Sequence, residues 1–153
     1  MTTPQQKGRD FENKIQKLLM KTKLNVFREI DIKQRFGQNI SGIDHLIEFD
    51  NICICIQDKF QQTPISNSQS GHFITCVNNI ANILQKKCIG IFISNIDLSM
   101  VAQQQIMMEN SKNQNEFLIL FDNNYVELMK KIYYYFHSNK IWFYDGDDAM
   151  MIY

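Results

Sequence analysis

The 153-residue sequence lacks a long hydrophobic run. No apolar stretch approaches the roughly 20 residues that a membrane-spanning helix requires. The first eight residues are polar, so we expect no signal peptide, because such a peptide needs an apolar segment near its start. These observations predict an intracellular protein without a membrane partner.

Paired metal-binding cysteines are also missing. The four cysteines are Cys53, Cys55, Cys76 and Cys88, and no two have the CxxC spacing of a zinc site. We predict buried free thiols in a reducing compartment. The sequence contains no Walker loop, no GxGxxG motif and no Ser-His-Asp arrangement, so the common signatures of nucleotide binding and triad hydrolysis are absent.

Net charge is zero, but the charges are unevenly distributed. Residues 1–40 contain nine basic and four acidic residues, a net charge of +5, which leaves −5 for the remainder. A basic segment beside an acidic remainder can bind phosphate on one face. Solvated lysines on an exposed helix would give the same count, and the sequence leaves both interpretations open.

Hydrophobic periodicity predicts one α/β domain. A helical repeat occupies the first segment, at Phe11, Ile15, Leu18 and Leu19, and Pro4 suits its start. We predict a strand over Leu24–Ile32 and a loop over Gln34–Gly42. After residue 60, helices alternate with the short apolar runs Ile89–Ser94 and Phe117–Phe121, which indicates parallel strands.

The C-terminal part is predicted to contain one more helix and a short tail. The helix is expected from about Asn124 to Phe136, with Tyr125, Leu128, Met129 and Ile132 facing inward. The tail, residues 141–153, is apolar, and Asp145-Gly146 could turn a small hairpin in it. Such a segment is expected to pack on the domain or on a partner chain.

The stretch from Gly42 to Phe60 is the most informative. Two apolar segments flank Asp50-Asn51, a pair that suits a tight hairpin turn. A turn there pairs Phe49 with Ile52 and, by the same register, places Asp44 opposite Gln57. Directly opposed residues project to one face of a sheet, and Lys59, two residues beyond Gln57, shares that face. Burying polar groups costs free energy unless they have a partner, so we expect either an Asp44–Lys59 ion pair or a hydrated metal ion here.

The full pattern resembles the PD-(D/E)XK nuclease superfamily. A helix with Glu12 precedes a strand, then Asp44 on a hairpin, then Gln57-x-Lys59 before another helix. Within the superfamily it is similar to Mrr-like restriction endonucleases, in which glutamine commonly replaces the second acid. The opening KGRDFENKI resembles Holliday junction resolvases. The resemblance covers roughly residues 7–130, and Ile43 departs from it where proline would stand.

The resemblance implies a restriction-endonuclease-like fold. This is an αβββαβ core with a mixed central sheet flanked by helices, here with an extra C-terminal helix and a short β tail. Residues 1–140 would form the nuclease domain and 141–153 the tail. The implied activity is Mg²⁺-dependent DNA endonuclease, with Mn²⁺ able to substitute.

The resemblance also implies roles for particular residues. Asp44 would be the main metal ligand, joined by the Gln57 side-chain carbonyl and the Asp58 backbone carbonyl. Glu12 would bind the ion directly or through water, although a structural role on an exposed face is equally open. Lys59 would orient the attacking water. DNA would contact three basic side chains, those of Lys7, Arg9 and Lys14.

Other polar residues are expected to be structural. His45 should face away from Asp44 and pack in the core, the Asp58 side chain should point to the other face, and Glu29 and Asp31 should face solvent. Two alternative functions stay open, a structure-selective resolvase and a nuclease-fold module that binds nucleic acid without cleaving it. A homodimer is a further arrangement that the apolar tail could support.

Overall fold

The computed structural model describes residues 2–21, 25–37, 40–49 and 51–138. The elements in chain order are α1 (Pro4–Leu19), β1 (Val26–Arg28), α2 (Glu29–Phe36), β2 (His45–Glu48), β3 (Ile52–Lys59), α3 (Asn67–Leu84), β4 (Lys87–Ser94), α4 (Met100–Asn110), β5 (Glu116–Phe121) and α5 (Tyr125–Ser138). The order α1-β1-β2-β3-α3-β4 matches the predicted αβββαβ core, and α2 is inserted between β1 and β2.

The five strands form one mixed sheet in the order β1-β2-β3-β4-β5. The pairs β1–β2 and β2–β3 are antiparallel, whereas β3–β4 and β4–β5 are parallel. The predicted class, α/β with a mixed sheet flanked by helices, is confirmed. The parallel pairings predicted after residue 60 are confirmed as well.

Both faces of the sheet are covered, because alternate residues of β3 point to opposite sides. Cys53 and Cys55 pack with the apolar residues of α3 and α4. Ile54 and Ile56 pack instead with those of α1 and α5. Nearly every position of β3 is therefore buried, as expected of a central strand.

Side-chain caps set the starts of three helices. Thr3 accepts a hydrogen bond from the Gln6 N–H at 3.1 Å, with Pro4 following it. Ser66 and Gln69 form a reciprocal capping box at α3. Ser99 caps α4 by accepting from the Ala102 N–H at 3.2 Å.

The predicted strand over Leu24–Ile32 is wrong beyond Arg28, where α2 begins. Two local interactions favour the helix. The Asp31 carboxylate accepts the Arg28 N–H at 3.2 Å, and Lys33 pairs with Glu29 at 2.7 Å across one helical turn. The predicted loop is wrong in the same way, because α2 continues to Phe36.

Two predictions of burial are also corrected. β5 was expected to be a buried strand, but it lies at the edge of the sheet and is mostly half-buried. Tyr125 was expected to face inward, and it is exposed at the first turn of α5. Leu128, Met129 and Ile132 are buried as predicted.

The predicted hairpin register is confirmed. The Phe49 N–H donates to the Ile52 carbonyl at 2.8 Å, and His45 pairs with Ile56. Asp50 itself lies outside the described residues, as do residues 141–153 with the predicted Asp145-Gly146 turn. Within the described ranges, no helix is long and apolar enough to cross a membrane.

Candidate metal centre

Asp44 lies where the hairpin opens, directly before β2. Its N–H donates to the Ile56 carbonyl at 2.8 Å, and Ile56 is also the register partner of His45, so the regular pairing of β2 with β3 ends at His45 and does not continue to an Asp44–Gln57 pair. Its carboxylate oxygen Oδ2 accepts the Asp58 N–H at 2.8 Å. Backbone contacts on both sides therefore fix the position of this carboxylate.

Three carboxylates converge at this point. One ligand oxygen each from Glu12, Glu29 and Asp44 lies within 4.8 Å of the other two. Each comes from a different part of the chain: Glu12 from the middle of α1, Glu29 from the first residue of α2, and Asp44 from the start of the hairpin. We call these residues the acid cluster.

The electrostatics of the acid cluster are uneven. Arg28 pairs with Glu12 at 3.2 Å and Lys33 with Glu29 at 2.7 Å. Asp44 has no ion pair in the described part of the chain. Burial raises its pKa to about 8. The ionised Asp44 carboxylate is therefore unfavourable in the metal-free protein.

Gln57 and Lys59 continue the alternation of Cys53 and Cys55, so both lie on the α3 face of β3. Gln57 is only 5% exposed, and its buried Oε1 has no hydrogen-bond partner in the described part of the chain. An unsatisfied buried carbonyl costs about 1–3 kcal/mol. Lys59 forms no ion pair within the described residues, so the Asp44–Lys59 ion pair, one of the two explanations that the sequence left open, is not seen there.

His45 and Asp58 occupy the opposite face, as predicted. His45 Nδ1 lies 2.6 Å from Gln16 Oε1, and its Nε2 lies 2.5 Å from Asp58 Oδ2. Burial lowers the pKa of His45 to about 4 and raises the pKa of Asp58 well above its usual value. Both shifts favour the neutral pair, in which Nδ1–H donates to Gln16 and the protonated Asp58 donates to Nε2. This buried chain ties α1 to the hairpin.

Glu29 is the residue of the acid cluster that sequence reasoning missed. It was predicted to face solvent, because the segment around it was interpreted as a strand. The Glu29/Lys33 spacing of four residues is a helical signal, and it could have indicated that a helix begins here. Its approach to Glu12 and Asp44 is a long-range contact that no local pattern encodes.

A second group of ligand atoms is chemically different. The thiols of Cys53, Cys55 and Cys88 lie within 4.8 Å of one another in the core, and all four cysteines are free and buried as predicted. Thiolates suit soft metals, whereas carboxylate oxygens suit Mg²⁺. The acid cluster is therefore the group that matches the predicted cofactor.

The predicted DNA-binding residues Lys7, Arg9 and Lys14 are all exposed on α1. None forms an ion pair within the described ranges. The Lys14 ammonium lies 4.6 Å from the centre of the Tyr125 ring. These charges are available to an anionic ligand on the helix that carries Glu12.

Comparison with solved structures finds a structural likeness, whereas comparison with families and curated proteins finds none. No family model matches the chain, and no curated protein matches it. Among solved structures, it is similar to the MspJI restriction endonuclease in complex with a 27-mer oligonucleotide. The two are 14% identical with a TM-score of 0.48, and the match covers 93% of this chain. The chain spans 30% of that longer chain.

Proposed function

We propose that this chain is a metal-dependent DNA endonuclease of the Mrr-like type that hydrolyses phosphodiester bonds. The observation that carries the proposal is the acid cluster, in which Glu12, Glu29 and Asp44 converge and the Asp44 pKa is raised to about 8. A divalent cation would favour the ionised Asp44 carboxylate, which burial disfavours, and so lower this pKa. Residues 1–140 would form the nuclease domain.

The residues present fit Mg²⁺, with Mn²⁺ able to replace it. Mg²⁺ prefers hard oxygen ligands and keeps several water molecules. Asp44 and Glu12 would supply carboxylate oxygens, and the Asp58 backbone carbonyl a neutral one. Gln57 Oε1, which has no hydrogen-bond partner among the described residues, is a further neutral oxygen ligand. Glu29 adds a carboxylate beside them.

The bound ion would polarise the scissile phosphate and lower the pKa of a water molecule. The chain's own residues would do the rest. Lys59, which has no ion pair to break, would orient the attacking water and offset the negative charge that develops on the phosphate. Lys7, Arg9 and Lys14 would hold the DNA backbone by charge. The neutral His45–Asp58 pair would keep α1, and with it Glu12, in position.

A plasmid cleavage assay tests the proposal. Wild-type protein with Mg²⁺ or Mn²⁺ should nick or linearise supercoiled DNA, and EDTA should abolish the activity. Asp44→Asn and Lys59→Ala should each lower the rate by at least about 10³-fold without changing the fold. Glu127→Gln, at an exposed acid of α5, is the matched control and should cleave normally. Native-rate cleavage by purified Asp44→Asn would show that the site is assigned wrongly.

The ion pairs within the acid cluster favour a second candidate, a nucleic-acid-binding module without catalysis. Arg28 on Glu12 and Lys33 on Glu29 offset two of the three carboxylates with no metal present. Such a module would bind DNA equally well with Mg²⁺ and with EDTA and would cleave nothing. A structure-selective resolvase is an alternative within the same chemistry, and four-way junctions offered beside linear duplex would distinguish it.

A further inference from the structure

An open pocket of about 830 Å³ lies at the carboxyl ends of the three parallel strands. Its walls come from the segments that follow β3, β4 and β5, together with the first turns of α1. The residues that matter here are Lys7, Phe60, Gln62, Asn95, Phe121 and Asn123. In α/β sheets, ligands bind beyond the carboxyl ends of the strands.

The pocket combines a fixed aromatic surface with free amides. The Phe60 ring is 42% exposed, and it packs against Phe11 with the ring centres 5.5 Å apart. Asn95 makes the wall rigid, because its side chain accepts the Gln61 N–H and donates to the Gln61 carbonyl, both at 2.9 Å. The exposed amides of Gln62 and Asn123 form no hydrogen bond within the described residues, so they can serve a ligand.

The pocket lies next to the acid cluster. Phe60 directly follows Lys59. On α1, Lys7 and Glu12 are five residues apart, about 7.5 Å along the helix axis. Phe60 packs against Phe11, the residue directly before Glu12, so the pocket borders the part of α1 that carries one acid of the acid cluster.

We propose that this pocket binds an unpaired nucleobase of the DNA strand held at the acid cluster. The base would stack on the Phe60 ring. The side-chain amides of Gln62 and Asn123 would form hydrogen bonds with the polar edge of the base, and Lys7 would contact the adjoining phosphate. The substrate class would then be DNA with an unstacked or extruded base close to the scissile bond. This inference rests on the proposed function for the position of the strand.

Binding to matched DNA probes tests the inference. The probes are a fully paired 20-mer duplex and the same duplex with a one-base bulge, both titrated in Ca²⁺ without Mg²⁺. Wild-type protein should bind the bulged duplex about tenfold more tightly, because the bulged base avoids the cost of unstacking. Phe60→Ala should reduce this preference to about one. Phe60→Leu, which keeps an apolar side chain but removes the aromatic ring, should do the same.

Tyr134→Ala is the matched control, because it removes an exposed aromatic ring on α5 that does not line the pocket. It should keep the tenfold preference. The melting temperatures of the variants would show that all of them fold. Equal affinity of the wild type for the two duplexes, or an unchanged preference in Phe60→Leu, would assign the pocket to another occupant and overturn the inference.

Plasmid cleavage measured on the same samples separates this inference from the proposed function. Tyr134→Ala should cleave the plasmid at the wild-type rate, because its ring does not line the pocket. A wild type that prefers the bulged duplex but cleaves nothing would refute the endonuclease and keep the base pocket. A wild type that cleaves the plasmid without preferring the bulged duplex would support the endonuclease and refute the base pocket.

Discussion

Asp44 and Glu48 lie at opposite ends of β2 and have opposite surroundings. The Glu48 carboxylate forms salt bridges with Arg35 at 2.5 Å and with Lys86 at 2.9 Å. These two cations lower the pKa of Glu48, and Arg35 contributes more than Lys86. Asp44 has acids instead of cations beside it, and burial raises its pKa to about 8. Glu48 therefore stabilises the fold, whereas an ionised Asp44 destabilises it. An unfavourable charge that the fold retains is typical of a functional site.

The largest expected effect is on stability without metal. The folded-state pKa of Asp44 is raised from 3.8 to about 8. The stability that the protonated Asp44 carboxyl contributes is therefore complete below the unfolded pKa and is lost as pH rises through about 8. Wild-type protein in EDTA should melt at lower temperature at pH 9 than at pH 6. Asp44→Asn should remove most of this decline and raise the melting temperature at pH 9 by at least about 5 °C.

Glu48→Gln should behave in the opposite way. The folded-state pKa of Glu48 is lowered. The stability that the ionised Glu48 carboxylate contributes is therefore present above the unfolded pKa and is lost as pH falls through the folded-state pKa. The substitution should lower the melting temperature at neutral pH and change little in acid. Identical pH profiles for the two variants would contradict the contrast between the two ends of β2.

Gln57→Glu should sharpen the contrast by adding charge near Asp44. Without metal, like-charge repulsion and burial of a carboxylate should lower stability. Added Mg²⁺ should restore it, because the ion binds only the folded state, and the gain should exceed that of the wild type. Thermal melts of both proteins, each with Mg²⁺ and with EDTA, measure the difference. Equal gains would count against a metal site at Gln57.

Glu29→Gln should have a smaller effect, which is limited to the affinity for the metal ion. We expect about tenfold weaker Mn²⁺ binding, comparable to the loss of a supporting group at other metal sites. Glu12→Gln should also lower cleavage only partly if it acts through water. Asp31→Asn, an exposed acid two residues further along α2, is the control for Glu29. Calorimetric titration with Mn²⁺ gives the affinities, and equal affinities for Glu29→Gln and wild type would leave Glu29 structural.

The smallest expected effect is on the salt dependence of DNA binding. Changing Lys7, Arg9 and Lys14 to glutamine should reduce the log–log salt slope by about 0.9 for each lost phosphate contact. The single change Lys112→Gln, at an exposed lysine in the turn after α4, should leave the slope as it is. Affinities at four salt concentrations give the slopes. An unchanged slope in the triple variant would show that these side chains are merely solvated.

Local signals made part of the site predictable. Turn chemistry at Asp50-Asn51 predicted the hairpin register, which the strands follow from His45 to Glu48, and the same register predicted the Asp58 side chain on the face opposite Gln57. Apolar spacing likewise predicted the buried face of α1. The strand prediction fails after Arg28, because the β-branched residues there favour a strand whereas the Glu29–Lys33 spacing favours the helix that forms.

The sequence by itself determined the order of the elements, the hairpin register and the residue types available for hard-metal chemistry. These depend on contacts between near neighbours, which leave a periodic pattern in the chain. Only the tertiary structure decided that Glu12 and Glu29 approach Asp44, that Gln57 Oε1 is buried without a partner and that Phe60 lines a pocket. Such features arise where α1, α2 and the sheet pack together, and burial at those contacts, rather than local propensity, raises the pKa of Asp44.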